Sequence, residues 1–403
     1  MKEGWEYKKL GEVADFYRGL TYGKSDEAES SNVCVLRSNN IDLQSMSLNL
    51  DEIKYLKPGF VIPEDKKLKG ESIFICMSNG SKQHVGKVAY IPDDMDYAFG
   101  GFMGLIVPKG VSAKYIYYVC CSSLYREFLS SIGNGIGITN LRFSDLNNFT
   151  FPISDLKQQK KIVSELDLLS DVIEKKKAQL EELDKLAQSI FYDMFGDPVT
   201  NEKGWEVKKL KDVSSKITNG NTPKGGSDVY VGDGILFLRS QNVWRNKIVL
   251  DDVAYIDDAT HEILHHSSLM HNDILITKTG RFNTEDSSLG RAALYTGENN
   301  MANINGHVYL VRLKPGIDKK YVLYILLSES FRQLIRRVCV GGIDKRQLNK
   351  NHIEDFPIIL PPLALQQEFA SKIEAIESMK AKVRQSLSEA ETLFNSRMDY
   401  YFN

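Results

Sequence analysis

Gly4-Trp5-Glu6-Tyr7-Lys8-Lys9-Leu10 returns as Gly204-Trp205-Glu206-Val207-Lys208-Lys209-Leu210, with six of the seven positions identical. The echoes keep their order along the chain. Leu36-Arg37-Ser38-Asn39-Asn40 matches Leu238-Arg239-Ser240-Gln241-Asn242, and Ser72-Ile73-Phe74-Ile75 matches Asp273-Ile274-Leu275-Ile276. Gly86-Lys87 matches Gly290-Arg291, Phe151-Pro152-Ile153 matches Phe356-Pro357-Ile358, and Gln158-Gln159 matches Gln366-Gln367. A period near 200 residues is far longer than a solenoid unit, so it marks two homologous domains.

Each half closes with a helix written in heptads. In the first, Ile162, Leu166, Leu169, Ile173, Lys176, Leu180, Leu183, Ala187, Ile190 and Met194 recur in steps of four and three. In the second, Phe369, Ile373, Ile376, Lys380, Val383, Leu387, Ala390, Phe394 and Arg397 do the same. This spacing is a coiled-coil seam. Two matched seams in one chain pair most simply with each other, antiparallel; helices that merely tether two domains are the blander reading. Asp155 and Pro361-Pro362 mark the helix entries, and Gly196-Asp197-Pro198 stops the first. The expected divisions are a domain over 1–155, a helix over 156–200, a domain over 201–361 and a helix over 362–403.

Within each domain, Ile73-Phe74-Ile75, Lys87 to Ile91, Ile274-Leu275-Ile276 and Val308 to Val311 read as strands. Ala113 to Ser131 and Lys319 to Val338 read as helices, and loops such as Gly133-Asn134-Gly135-Ile136-Gly137 and Gly341-Gly342 separate the elements. The fold class is α+β: two homologous mixed α/β domains separated by two long antiparallel coiled-coil helices, with a pseudo-twofold internal repeat.

The 403 residues are 42% hydrophobic and 26% charged, ample for sizeable cores and incompatible with wholesale disorder. No run of about 18 apolar residues predicts a membrane span, and Met1 to Trp5 lacks a signal-peptide core. Five cysteines without a Cys-x-x-Cys pair predict reduced thiols in the cytoplasm rather than a disulfide scaffold or zinc ribbon. The net charge is −2, distributed as −1 over 1–150, −3 over 151–200, +3 over 201–361 and −1 over 362–403. No segment is strongly basic, so any nucleic-acid site must be a local patch.

The chain resembles the specificity subunit of type I restriction–modification systems. The resemblance rests on the Trp5-to-Leu10 block and its copy at Trp205, on Leu36-Arg37-Ser38 and Leu238-Arg239-Ser240, and on Asn272-Asp273-Ile274-Leu275-Ile276-Thr277 with Gly280. It continues through the Phe-Pro-Ile exits and the aromatic helix end Ile190-Phe191-Tyr192-Asp193-Met194-Phe195-Gly196, and covers essentially the whole chain. It implies two target-recognition domains, each reading half of a bipartite site in double-stranded DNA. It also implies helices that space them and dock two methyltransferase (modification) subunits, with restriction (motor) subunits joining the complex. The specificity subunit itself is then non-catalytic and binds no cofactor; S-adenosylmethionine, ATP and Mg belong to the partner subunits. Three other readings are a recognition subunit of a related, motor-less type II system, a zinc-dependent hydrolase, and a structural adaptor that binds no DNA.

The hydrolase reading rests on His261-Glu262-Ile263-Leu264-His265, which on a helix places two imidazoles on one face for zinc. The matching stretch Val61 to Asp65 has no histidine, and a solvated helix face accounts for the pentapeptide better. Gly19-Leu20-Thr21-Tyr22-Gly23-Lys24-Ser25 has three residues between its glycines where a phosphate loop needs four, and the acidic run Asp26-Glu27-Ala28-Glu29 follows it. Glu64-Asp65-Lys66 is only a fragment of a nuclease pattern.

Arginine pairs bidentately with guanine, Asn and Gln with adenine, and Lys meets phosphate. Three loop clusters in both halves carry these types. The first is Arg37 and Asn40, matched by Arg239 and Asn242; its alternative is an arginine tied down inside the domain. The second is Asn79, Lys82, Gln83, His84 and Lys87, matched by Lys278, Arg281, Asn283 and Arg291; its alternative is a solvated hairpin. The third is Thr139, Asn140 and Arg142, matched by Lys345, Arg346 and Gln347; its alternative is a helix cap. Lys24 and Lys224, each closing a Gly-containing loop, are phosphate candidates. Tyr17 and Tyr22 suit either stacking or packing.

Overall fold

A computed structural model of the chain describes residues 4–132, 139–282, 284, 287–342 and 344–403. It divides into two units, Met1–Lys177 with Arg384–Asn403, and Ala178–Val383. The divisions fall inside the long helices rather than at their ends.

In the first unit Ser72–Cys76 is buried at every position, which is why the run is continuously apolar after its first residue instead of alternating. It lies inside an antiparallel four-stranded sheet ordered Ala14–Arg18, Met103–Pro108, Ser72–Cys76, Val88–Ile91. Ile73 and Ile75 face Tyr115, Val119 and Tyr125 of two helices, Ala113–Cys121 and Ser123–Ile132. Phe74 and Cys76 share a second cluster with Leu36 and Phe99. Those two residues belong to Val33–Leu36 and Met95–Phe99, a parallel pair within a five-stranded sheet. Glu6–Lys9 pairs with Thr150–Ile153.

The second unit repeats this plan. Its main sheet runs Ser214–Asn219, Val308–Leu313, Ile274–Thr277, Ala292–Leu294, and Ile235–Leu238 pairs in parallel with Ala302–Ile304. Glu206–Lys209 pairs with Pro357–Leu360.

Two expectations need correction. The single helices expected over Ala113 to Ser131 and Lys319 to Val338 are each two helices, broken at Ser122 and Ser328, whose ψ angles are 165° and 150°. Each serine closes one helix and opens the next: Ser328 Oγ donates to Ile325 O at 2.8 Å and accepts from Phe331 N–H at 3.3 Å, a cap that competes with helix continuation. The Phe-Pro-Ile match is out of register by two. Leu10 N–H donates to Phe149 O and Leu210 N–H to Phe356 O, both at 2.8 Å, so Phe149 rather than Phe151 is the counterpart of Phe356. The glutamines shift too. Gln159 Oε1 accepts from Ser112 N–H at 2.9 Å, and Gln366 Oε1 accepts from Asp318 N–H at 3.1 Å.

The long helices are Leu156–Phe195 and Leu363–Phe402, 40 residues each, or about 60 Å at 1.5 Å per residue. Asp155 Oδ1 accepts from Gln158 N–H at 2.8 Å at the first entry. Gly196 leaves the first helix at φ 74°, a conformation that favours glycine. Their pairing is antiparallel. In the first unit Glu165 meets Arg397 and Tyr401, and Lys177 meets Glu391; in the second, Asp184 meets Lys380 and Phe191 stacks edge-on against Phe369. Ile162, Leu166, Phe369, Ile373, Ile376 and Val383 are buried, while Leu169, Ile173, Leu180, Leu183, Leu387 and Phe394 are half-buried. The polar seam position Lys380 is only 4% exposed and is neutralised by Asp184 at 2.7 Å and Glu377 at 3.0 Å. No described helix is long and apolar enough to cross a membrane.

Phe369 packs edge-on against the rings of Phe191, Phe195, Tyr321 and Tyr324 at centroid distances of 5.1–6.5 Å. Phe369→Ala is therefore expected to destabilise the protein by about 3–5 kcal/mol, read as a lowered midpoint in thermal or urea unfolding. The exposed Leu393→Ala should cost under about 1 kcal/mol.

Candidate nucleic-acid interface

The turn after Val33–Leu36 is built by Asn40. Its Oδ1 accepts from Arg37 N–H at 2.8 Å, and its Nδ2 donates to the carbonyls of Asn49 at 2.9 Å and Glu52 at 2.8 Å. Asn242 does the same for Arg239 N–H at 2.9 Å and for the carbonyls of Val249 and Asp252 at 3.0 Å. Both amides are buried, 0% and 1% exposed, and their bonding capacity is spent. Asn40 and Asn242 are therefore removed from the base-reading set; they are pegs that set the backbone from which the arginines project. Arg37 is exposed, with no carboxylate in ion-pair range among the described residues. Arg239 is tied down: its guanidinium donates to Asp252 O at 2.5 Å and meets Asp252 Oδ1 at 3.1 Å. The tethered reading holds for one copy and not the other.

The second and third clusters are one composite structure in each unit. Leu141 N–H donates to Met77 O at 2.7 Å and Ser78 Oγ to Thr139 O at 3.0 Å, with Ser78 bridged to Asn140. In the second unit Leu348 N–H donates to Lys278 O at 2.9 Å, and Lys345–Gln347 lies between Thr279–Gly280 and Val340–Gly342 as a small sheet. Asn79 is half-buried and engaged at both ends, donating to Ser38 Oγ and accepting from Ser81 N–H, each at 2.8 Å. Lys82, Gln83, Thr139, Asn140, Arg142, Arg281, Lys345 and Gln347 are exposed. Lys278 is half-buried, Arg346 lies 4.8 Å over the Phe282 ring, and Asn283 lies outside the described residues. Arg142 caps Phe143–Asn148 through its backbone, taking the Asp145 carboxylate at 2.9 Å, which leaves its side chain exposed.

Lys87 is a second correction. It is 4% exposed and its Nζ donates to Ile41 O at 2.7 Å. Burial holds its ammonium below the ordinary lysine range. Its counterpart Arg291 is also buried, its guanidinium 4.0 Å over the Trp244 ring. Neither projects from a solvated loop.

Lys24, Arg37, Asn79 and His84, which come from separate loops, line one cleft of about 1010 Å³ in the first unit. Burial, then Lys87, holds the His84 imidazole below its usual range. Gly19 crosses behind Gly100 of the cleft wall with no room for a side chain, since a Cβ would sit 2.1 Å from Gly100 O; on Gly220 it would sit 1.7 Å from Ile304 O. Close backbone crossing explains both glycines better than phosphate binding. The Gly23 amide is in any case occupied by the Asp26 carboxylate at 2.7 Å. Lys224 is likewise exposed.

Phe102 is the side chain that sequence reasoning missed. It is 72% exposed and lines the same cleft, and its carbonyl is clamped by Met77 N–H at 2.9 Å. The equivalent clamp in the second unit joins Lys278 N–H to His307 O at 2.8 Å. A ring directly after a glycine, in Gly100-Gly101-Phe102 and Gly306-His307, was the available signal. An exposed ring beside an arginine and amides offers stacking together with hydrogen-bond readout. Tyr22 also lines this cleft, whereas Tyr17 packs on the inter-sheet core.

The hydrolase pentapeptide does not form a zinc face. Its helix ends at Ile263, His265 begins a separate 3₁₀ turn, and buried His261 holds Asn303 Oδ1 at 2.5 Å. Glu64–Lys66 is a 3₁₀ turn.

The family model of the type I restriction modification DNA specificity domain matches the chain twice, over residues 2–185 and 202–391. The StySPI specificity subunit of a type I restriction enzyme from Salmonella potsdam is 26% identical over 413 residues, covering 98% of this chain and 87% of that protein. The EcoKI specificity subunit from Escherichia coli K12 is 24% identical over 418 residues, covering 98% and 88%. The crystal structure of the type I restriction-modification S subunit from M. genitalium shares the fold with a TM-score of 0.56 at 13% identity, covering 99% of this chain and 96% of that one. The chain therefore belongs to the family of type I restriction–modification DNA specificity domains, with two copies of the domain. It is a DNA-recognition subunit, and its role is specificity rather than catalysis.

Arg37→Ala should leave the unfolding midpoint within about 0.5 kcal/mol of wild type and weaken binding to one half-site by about 1–3 kcal/mol, relaxing a single position. Asn40→Ala strands the Arg37 amide and the Asn49 carbonyl, each costing about 1–3 kcal/mol, and should lower the midpoint itself; the Glu52 carbonyl keeps the Asn39 side-chain amide at 3.2 Å. Paired melting curves and binding titrations separate a reader from a peg; equal loss of stability in both variants would contradict the assignment.

Proposed function

We propose that this chain reads a bipartite site in double-stranded DNA, one half-site per recognition domain, and docks two methyltransferase subunits through its long helices, with restriction subunits joining the complex. The reading is carried by the duplication at the level of side chains. The asparagine peg, the glycine crossing and the clamped ring recur in each unit. The outward faces of the long helices carry Leu168 and Leu393, 65% and 49% exposed; apolar side chains in that setting favour a protein partner. S-adenosylmethionine, ATP and Mg act on the partner subunits in this reading, and the complex works in the cytoplasm, where its DNA lies.

Modularity is the direct test. Replacing residues 201–361 with the matching domain of a relative should change one half-site and leave the other intact, as read by methylation mapping. A change in both half-sites would sink the one-domain, one-half-site reading.

A gap that no side chain reads needs a rigid spacer, and a paired helix stiffened by its buried seam can supply one. One heptad inserted in both helices keeps the seam in phase and adds about 10.5 Å, about three base pairs of DNA. The preferred gap should lengthen by that amount in a methylation assay on substrates that differ only in spacing. An unchanged gap would make the helices a passive tether.

A further inference from the structure

The exposed ring of Phe102 stands on a turn that is fixed at both ends. Gly100 N–H donates to Leu36 O at 2.9 Å, and Met103 N–H closes the turn on Gly100 O at 2.8 Å. Phe102 O accepts from Met77 N–H at 2.9 Å and from Ser78 N–H at 3.1 Å. Leu36 directly precedes Arg37, and a Cβ on Gly100 would lie 3.6 Å from Arg37 Cγ. The stem of Arg37 therefore runs past the turn that presents the ring. Both residues line the same cleft, and both are exposed.

A lone exposed phenylalanine is ordinary on a protein surface. The internal repeat shows that the fold does not ask for this one. In the second unit Asn305 N–H donates to Leu238 O at 3.0 Å, Val308 N–H to Asn305 O at 3.1 Å and Lys278 N–H to His307 O at 2.8 Å. The turn is the same, but its ring position holds the polar His307, beside an arginine tied to Asp252. The turn needs the carbonyl and not the phenyl ring. Glu27, held by Lys54 at 2.5 Å, and Glu52 also line the cleft of the first unit. Carboxylates there disfavour a phosphate backbone laid along it, which leaves base edges as the fitting occupant. In an intact duplex the faces of the bases are covered by their neighbours. A phenyl ring has no donor or acceptor, and the apolar group that base edges offer it is the thymine methyl in the major groove.

We infer that Arg37 and Phe102 act as one reader in the first recognition domain, the guanidinium taking a guanine and the ring taking the C5-methyl group of a thymine within about two base-pair steps of it. The inference rests on the DNA-recognition reading and deepens it, because it names the groups on the base pairs. Phe102 is then a specificity-determining residue, and the second domain, with His307 at the same place, reads its half-site by other means.

The test uses the full complex with its methyltransferase subunits, on the half-site that exchange of residues 201–361 leaves intact. Each thymidine of that half-site, on either strand, is replaced singly by deoxyuridine, which lacks only the methyl group. One replacement should weaken binding about fourfold, the worth of one buried methyl. Phe102→Ala should weaken binding to the thymidine duplex at least as much, show no further loss with deoxyuridine at that position, and melt like the wild type. Arg37→Ala should keep the deoxyuridine response and lose the response to 7-deazaguanosine at a neighbouring position. His307→Ala should leave both responses intact. Unchanged affinity in Phe102→Ala overturns the inference, as does a deoxyuridine response that survives in that variant, or a half-site with no thymine on either strand. Equal weakening on every duplex, with reduced bending of circularly permuted fragments in electrophoresis, makes the ring an intercalating wedge and likewise overturns it. So does loss of methyltransferase subunits with unaltered discrimination in the remaining complex. A wild-type complex that bound all DNA alike would instead overturn the recognition reading beneath it.

Discussion

The core of each recognition domain is closed by two helical segments, one from each long helix. In the first unit Ile162 and Leu166 from one helix and Met398, Tyr401 and Phe402 from the other join Tyr115 and Phe151. In the second, Ala187, Phe191 and Phe195 meet Phe369, Ile373 and Ile376 around Tyr321 and Ile358. A fully buried side chain of this size is worth about 1.5–3 kcal/mol, so sliding either helix by a turn within a unit would expose several at once. The half-buried middle of the seam, Ile173 and Leu180 among others, contributes less. The phase of the pair is thus set at its ends, by the domain cores. Buried polar contacts sharpen it: Lys380 between Asp184 and Glu377, and the Gln159 and Gln366 amides, which donate to Ser154 O and Pro361 O at 2.7 and 2.8 Å. A buried charge tolerates misplacement worse than an aliphatic side chain does, because separation leaves it unpaired.

Much of this was legible in the sequence because periodicity reports burial. The heptads, the apolar run Ser72–Cys76 and the duplication itself all express which faces are covered. What was not legible is where local likeness and backbone pairing diverge. Phe151-Pro152-Ile153 resembles Phe356-Pro357-Ile358 letter by letter, yet the ladders put Thr150 opposite Lys9 and Pro357 opposite Lys209. An edge-strand proline lacks an N–H and can change position without breaking a paired register, so its place in the sequence is a poor ruler. Ser122 and Ser328 were hidden for a related reason: a hydroxyl inside an amphipathic pattern looks like a surface position until its bonds to Val119 O and Ile325 O are seen.

The candidate interface shows the same division. Residue type alone places Arg37 and Asn40 together, since both pair well with bases. Geometry separates them, because an amide with a donor and an acceptor is equally suited to bonding a turn back onto itself. Asn40 and Asn242 recur because the turn needs them. Arg37 and Arg239 recur in sequence but differ in circumstance, one exposed in a polar cleft and one held by Asp252. Identity between two copies therefore marks the frame more dependably than the reading surface.

Lys87 and Arg291 carry that argument to its end. They occupy one position in one turn: Gly86 N–H donates to Cys76 O at 2.8 Å, and Gly290 N–H donates to Thr277 O at 3.0 Å. The lysine's compact ammonium reaches inward to a single carbonyl, Ile41 O, and is buried there. The arginine's planar guanidinium instead stacks on Trp244 while its Nε donates to Ser287 O at 3.2 Å. An ammonium is strongly hydrated, and burying it with one bond is costly; a guanidinium is weakly hydrated and keeps donors to spare while stacked. Both charges are withdrawn into the fold, the lysine's on a backbone carbonyl and the arginine's against the Trp244 ring. One turn position thus accepts two cations only because each finds its own way of being buried, and the likeness of the two copies at this position is a likeness of frame rather than of a DNA-facing side chain.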